Sequence, residues 1–191
     1  YIFREGRRLE ALSGKLMELI VLDRRDFPLR FTAMRAFLER TGNALRPALE
    51  GAGIRLEVDA EEAPAFLEPD LMETACLNLL DNARKATPPG GSVTLTGRAV
   101  EGGGYLIQVS DTGRGIPAEE LGRIAEPFYM VDKSRSRAQG GAGLGLALCR
   151  EIVSVHGGAM ELDSSPGEGT LVTLRFPLSQ STEGGGGHAE P

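Results

Sequence analysis

The chain has 191 residues, a formal net charge of −6 and two cysteines, with apolar and charged fractions typical of globular proteins. That length holds one well-packed domain plus further elements, and the acidic balance excludes wholesale nucleic-acid binding while permitting a local basic pocket for a small anion. No apolar run reaches membrane-spanning length, and no charged start followed by a hydrophobic segment marks a secretion signal, so the chain reads as soluble.

Residues 1–24 carry Ile2, Leu9, Leu12, Leu16 and Leu19 at alternating three- and four-residue steps, an a/d seam that needs a partner. Too short to hold a coiled coil alone, this stem reads as part of a longer helical hairpin or dimer, the alternative being a helix lying on the domain that follows. Pro28 pushes Phe27 towards extended backbone, so a domain boundary is expected near residue 25. The pattern then predicts a helix over 32–51, a strand at "IRLEV" (54–58), a short strand near "AFLE" (65–68) and a helix from Pro69 to Ala86. Strands follow at "SVTLTGR" (92–98) and "YLIQVS" (105–110), then loops, a helix opening at Gly143, and a closing hairpin of "AMELDSS" and "TLVTLRFPL" around Pro166 and Gly167. The strands alternate apolar and polar residues, which predicts a two-layer α/β sandwich with helices on one sheet face and solvent on the other. The glycine-rich end, 180–191, is expected to be disordered, leaving 25–179 as the domain. Cys76 and Cys149 fall inside apolar helical patterns, where a free thiol is a small buried hydrophobe, and a reducing cytosolic compartment is the expectation.

Three clusters carry possible chemistry. Gly140, Gly141, Gly143 and Gly145 at the start of a helix present backbone N–H groups suited to phosphate, or equally a flexible turn with a small-residue packing face. Asp111 ends a strand in "SDTGRGIP", followed by Gly113 and Gly115; it reads as an Asx-turn, or as a carboxylate accepting a hydrogen bond from a ligand amine such as adenine N6. Asn78, Asn82 and Lys85 share one face of a helix. Asparagine is a poor mid-helix residue; these two either bond neighbouring backbone and solvent or offer amide oxygens to Mg²⁺, with Lys85 meeting phosphate.

In chain order, asparagine helix, Asp-x-Gly-x-Gly, then glycine helix start, the three clusters resemble the N, G1 and G2 boxes of the Bergerat-fold ATPases, and "EPFYMVDKSRSR" between the last two resembles the F box and ATP lid of sensor histidine kinases. The resemblance covers residues 1–178. It implies a Bergerat fold with a mixed, mostly antiparallel sheet and the ATP-binding catalytic domain of a two-component kinase, with ATP and Mg²⁺ as cofactors. By resemblance Asn82 would coordinate Mg²⁺, Asn78 and Lys85 would contact the phosphates, and Asp111 would bind adenine N6 with Gly113 and Gly115 bordering the base. Gly141, Gly143, Leu144 and Gly145 would wrap the phosphates, Thr170 would line the adenine pocket, and Lys133, Arg135 or Arg137 would supply charge to the γ-phosphate.

ATP-hydrolysing members of the superfamily resemble one another in a glutamate four residues before the metal asparagine. Here that position is Asn78, which suits transfer to a protein nucleophile. Ala86 stands where many such kinases have an aromatic residue, implying a more open pocket, and Met130 where arginine is frequent. Of the two histidines, His156 sits before Gly157 and Gly158 in a helix-capping context and His188 in the tail. Neither fits a phosphoacceptor, so the stem is expected to be the second helix of a dimerisation hairpin whose first helix bears the histidine. The implied partners are that helix in a homodimer, a response-regulator receiver domain and ATP or ADP. The implied setting is the cytoplasmic part of a membrane-bound sensor. The alternatives are a nucleotide-binding regulatory module without phosphotransfer and a serine kinase of the anti-sigma type.

Overall fold

Alternating polarity pairs five strands into one sheet in the computed structural model, which describes residues 27–101, 103–131 and 143–177. The stem, Lys133, Arg135, Arg137, Gly140, Gly141 and the C-terminal tail lie outside the described residues. The elements are β1 (Arg30–Ala33), α1 (Met34–Gly51), β2 (Arg55–Ala60), β3 (Pro64–Leu67), α2 (Pro69–Ala86) and β4 (Ser92–Ala99). They continue with β5 (Tyr105–Asp111), α3 (Ala118–Leu121), α4 (Gly145–Val155), β6 (Ala159–Ser165) and β7 (Gly169–Phe176).

The main sheet runs β2-β4-β5-β7-β6, parallel between β2 and β4 and antiparallel elsewhere. Side chains on a strand alternate between faces, and the register aligns Leu56, Val93, Val109 and Val172 with their neighbours on one side. Helices α1, α2 and α4 cover that face, packing Phe37, Leu38, Met72, Leu80, Leu148 and Ile152 onto the strands. Full burial of each such side chain contributes about 1.5–3 kcal/mol. The opposite face carries Glu57, Thr94, Thr96 and Gln108 and is open to solvent. The two-layer α/β sandwich with a mixed, mostly antiparallel sheet is therefore the observed architecture.

Helix α2 occupies the predicted span because its ends are written locally. Glu68 caps it by accepting the Leu71 N–H at 2.7 Å, Pro69 opens the first turn, and Arg84 and Lys85 sit in the last turn, where cations suit the helix dipole. Helix α4 ends in a Schellman arrangement: Gly158 N–H donates to Val153 O and Gly157 N–H to Ser154 O, with His156 as the C-cap.

Several strand ends shift by a residue or two from the sequence expectation, and the following elements differ as well. Residues 30–33, the first two of which were read as a link before the helix and the last two as its start, form β1, which pairs antiparallel with β3 and sets Phe31 against Phe66. The turn Ala118–Leu121 is helical within a stretch read as loop. Helix α4 opens at Gly145 and not at Gly143, because Gly143 has φ +70°, a left-handed conformation outside the helical region. Both cysteines are buried thiols, as expected. Among the described residues no helix is long and apolar enough to cross a membrane.

Candidate functional site

On the helix-covered face of the sheet the apolar alternation stops at one end. Ser164 of β6, Thr170 of β7 and Asp111 of β5 lie there side by side, Ser164 paired with Thr170 and Thr170 with Asp111. Ser164 Oγ accepts the Ile116 N–H at 2.9 Å, donates to Gly169 O at 2.6 Å and lies 3.1 Å from Thr170 Oγ1. Asp111 is 8% exposed, and its Oδ1 accepts the Gly113 N–H at 2.8 Å, the Asx-turn expected from the sequence. Burial raises its pKa, partly offset by the Gly113 and Thr170 backbone amides. A carboxylate in so dry a place at a strand end still has acceptor capacity beyond these two amides. Gly115 sits so close to Ser165 that any side chain there would overlap the Ser165 carbonyl, which draws the Asp111 loop onto the β6–β7 hairpin.

The second wall is α2 against α4. Asn78 Nδ2 donates to Thr74 O at 2.8 Å, so one half of the amide bonds its own helix as the plain reading allowed. A Cβ built on Gly145 would lie 3.4 Å from Asn78 Oδ1 and 3.6 Å from Asn82 Nδ2. The glycine helix start and the asparagine face are thus brought together, with a space that a larger residue at 145 would fill. Lys85 and Arg84 both pair with Asp81, each at 2.7 Å, and these cations hold the Asp81 carboxyl below its usual range against the effect of burial. Asp81 escaped the sequence analysis, although its spacing to Lys85 is the i,i+4 signal of a helical ion pair.

Gly143 and Leu144 do other work than lining a helix start. Gly143 O accepts the Phe128 N–H at 2.8 Å, and its φ of +70° lets it pass against the Phe128–Tyr129 backbone. That contact joins the two ends of the segment that contains Lys133, Arg135 and Gly141. Leu144 is the N-cap of α4, and its side chain is fully buried. Beside the C-terminal end of α2 an open groove of about 960 Å³ is lined by Arg84, Lys85, Ala86, Gly113, Arg114 and Gly167. Ala86 presents only a methyl group to it. Among the described residues no group of three or more His, Cys, Asp or Glu side chains is placed to hold a metal ion. At the asparagine face of α2, outside that groove, a divalent cation would rest on amide oxygens and on the oxygens of its ligand, a hard donor set that fits Mg²⁺.

His156 is 3% exposed. Its Nε2 accepts the Glu68 N–H at 2.9 Å, and its Nδ1 lies 2.6 Å from Ile152 O. Both ring nitrogens are engaged, which supports the structural reading of this histidine over a phosphoacceptor role.

A buried strand-end carboxylate, and a glycine helix start set against an amide-bearing helix, are the features of this α/β sandwich with the chemistry to hold a nucleotide. Residues 67–180 match the family described as histidine kinase-, DNA gyrase B- and HSP90-like ATPases, and the chain belongs to that family. It is similar to the non-motile and phage-resistance protein of Caulobacter vibrioides, 35% identical over 95% of this chain and 22% of that protein. It is also similar to the sensor-like histidine kinase SenX3 of Mycolicibacterium smegmatis, 35% identical over 91% of this chain and 46% of that protein. Among solved structures, full-length ShkA in complex with AMPPNP superposes with a TM-score of 0.81 at 24% identity, covering 93% of this chain and 37% of that one, and shows the same fold. The chain thus spans less than half the length of these curated relatives.

Proposed function

We propose that this chain is the ATP-binding catalytic domain of a two-component sensor histidine kinase. The γ-phosphoryl group would pass from ATP to an imidazole nitrogen of a histidine on the dimerisation hairpin, breaking the bond to the β-phosphate and releasing ADP. A receiver-domain aspartate of a response regulator would take it next. The observation that carries the reading is the approach of Gly145 to Asn78 and Asn82, at the end of a helix pair whose neighbouring sheet end holds Asp111.

In this reading Asp111 accepts the adenine N6 amine, Gly113 and Gly115 border the base, and Thr170 lines the pocket beside them. Asn82 holds Mg²⁺, which supplies charge neutralisation between the phosphates. Asn78 and Lys85 meet the phosphates, together with Gly141, Gly143, Gly145 and the Leu144 backbone. Lys133 and Arg135 supply charge at the γ-phosphate. Lys85 reaches phosphate by exchanging Asp81 for it, a partly buried i,i+4 ion pair that a multiply charged anion outcompetes while Arg84 stays on Asp81. Phosphoryl transfer depends on positioning and charge rather than on a protein base, and the amide at position 78 cannot deprotonate water, which favours transfer over hydrolysis. The stem is the second helix of the dimerisation hairpin, and the parent is a homodimeric, membrane-bound sensor with this domain in the cytoplasm.

Calorimetric titration with ATP, ADP and GTP, with and without Mg²⁺, tests the site: adenine-selective binding, strengthened by Mg²⁺ for ATP, is expected. Adding a separately prepared histidine-bearing hairpin and labelled ATP should then place acid-labile label on the hairpin. Binding without any such label would reduce the domain to a nucleotide-responsive module.

A further inference from the structure

Helices α2 and α4 lie antiparallel and meet at three levels. At the cleft Gly145 faces Asn78. Midway the Cys149 thiol donates to Ala75 O at 3.4 Å. At the far end Nε2 of His156, the C-cap of α4, accepts the N–H of Glu68, the N-cap of α2, at 2.9 Å. From Glu68 to Ala75 and from His156 back to Cys149 the chain advances by the same number of residues, so the levels share one register.

The His156 contact is the directional one among them. In a capping box the N-cap amide is bonded by a Glu or Gln three residues on, but here that residue is Leu71, whose own N–H takes the Glu68 carboxylate. The buried Glu68 amide therefore depends on an acceptor from another helix. A slip of α4 by one residue would strand it, and a stranded buried donor is costly. The ring is held on its other side by the Ile152 carbonyl, 2.6 Å from Nδ1, and by the edge-on Phe176 ring of β7 at 6.1 Å. With Nδ1–H donating to Ile152, the lone pair sits on Nε2, where the Glu68 amide needs it.

We propose that His156 is a positioning residue for the nucleotide site: by accepting the Glu68 amide in its Nδ1–H form it locks the register of α4 on α2 and so holds Gly145 against Asn78. The link to nucleotide binding rests on the ATP site proposed above; the register lock does not. Burial keeps the ring neutral by lowering its pKa, against the pull of the Ile152 carbonyl and of Glu68. Glu68 is the ionisable side chain facing the ring from α2, β7 contributes Phe176, and α4 contributes the Ile152 carbonyl. A proton added at Nε2 turns the acceptor into a donor pointed at another donor.

The test uses the 191-residue chain and a His156→Gln variant, whose amide oxygen accepts the Glu68 amide at any pH. Mg-ATP affinity is measured for both at pH 7.5 and pH 4.5, the lower value chosen because burial depresses the titration of the ring. At pH 7.5 the variant should stay within about threefold of wild type, and between the two values wild type should lose at least about threefold more affinity than the variant, the loss of one stranded buried donor. Parallel loss in both proteins would overturn the proposal, since protonation of ATP or of Asp111 affects them equally. Imidazole ¹⁵N spectra, assigned by comparison with His156→Gln, should show the proton of His156 on Nδ1; a proton on Nε2 would also overturn it. If wild type binds no ATP at pH 7.5, the site reading has failed, and amide exchange decides the register lock alone. The Glu68 amide should be protected in wild type and His156→Gln but not in His156→Phe, and an unprotected amide in wild type would refute it.

Discussion

Replacing Asp111 with Asn separates what the site needs from what the fold needs. Asp111 is 8% exposed, its Oδ1 takes the Gly113 N–H at 2.8 Å, and burial raises its pKa. An acid whose folded pKa lies above its unfolded value binds protons more tightly when folded, so its contribution to stability falls as pH rises from the unfolded towards the folded pKa. At neutral pH the ionised carboxylate works against folding. The Asp111→Asn variant keeps an oxygen for Gly113 and removes the buried charge, so its stability should match or exceed wild type by up to about 1 kcal/mol, without that pH slope. Binding should move the other way. A hydrogen bond to a charged acceptor contributes about 1.5–3 kcal/mol, which at 1.4 kcal/mol per decade is a loss of roughly ten- to a hundredfold in ATP affinity. An amide NH₂ turned towards the adenine amine would deepen it. Urea denaturation at pH 4 and pH 7, beside calorimetric titration with ATP, measures both effects. Wild-type affinity in the variant, or a stability loss above about 2 kcal/mol, would refute the assignment of Asp111 as a ligand acceptor kept at the expense of the fold.

Gly145→Ala should leave thermal stability unchanged or raise it by about 0.4–1 kcal/mol, since its Cβ would meet Asn78 Oδ1 at an ordinary 3.4 Å. ATP affinity should nevertheless fall at least about tenfold as the methyl group enters the cleft; calorimetry alongside a melting curve checks this, and unchanged affinity would place the phosphates elsewhere. Gly115→Ala should destabilise by about 2 kcal/mol or more, because φ is +68° and the new side chain overlaps the Ser165 carbonyl; denaturant titration with a loss under about 0.5 kcal/mol would contradict it. The Cys76 thiol, pushed up to about 12 chiefly by burial and further by Glu73, should resist alkylation in the native chain and react only on unfolding. Rapid modification at pH 8 without loss of structure would show that the core packing around α2 opens.

What could be read in advance was what short stretches of chain encode. The bounds of α2 came out as Pro69–Ala86 because Glu68, Pro69, Thr87 and the prolines after it are neighbours of the ends they set. The buried sheet face was legible because a strand repeats every two residues, so Val93, Leu95, Ile107 and Val109 declare their side. Asp111 stood out where the apolar alternation of its strand meets a glycine turn.

The parts that escaped depend on partners far away in sequence. Strand β1 has four residues and no alternation of its own worth reading; it exists because β3, more than thirty residues later, pairs with it. The true start of α4 follows from the Phe128 amide seeking the Gly143 carbonyl, which no local pattern announces. His156 looked like a cap and is one, yet its bond to Glu68 spans 88 residues. Local spacing can say which residues share a face, because helix and strand periods are properties of the backbone alone. It cannot say in which register two helices meet, because that is settled by buried amides, thiols and carbonyls that must each find a partner once water has left.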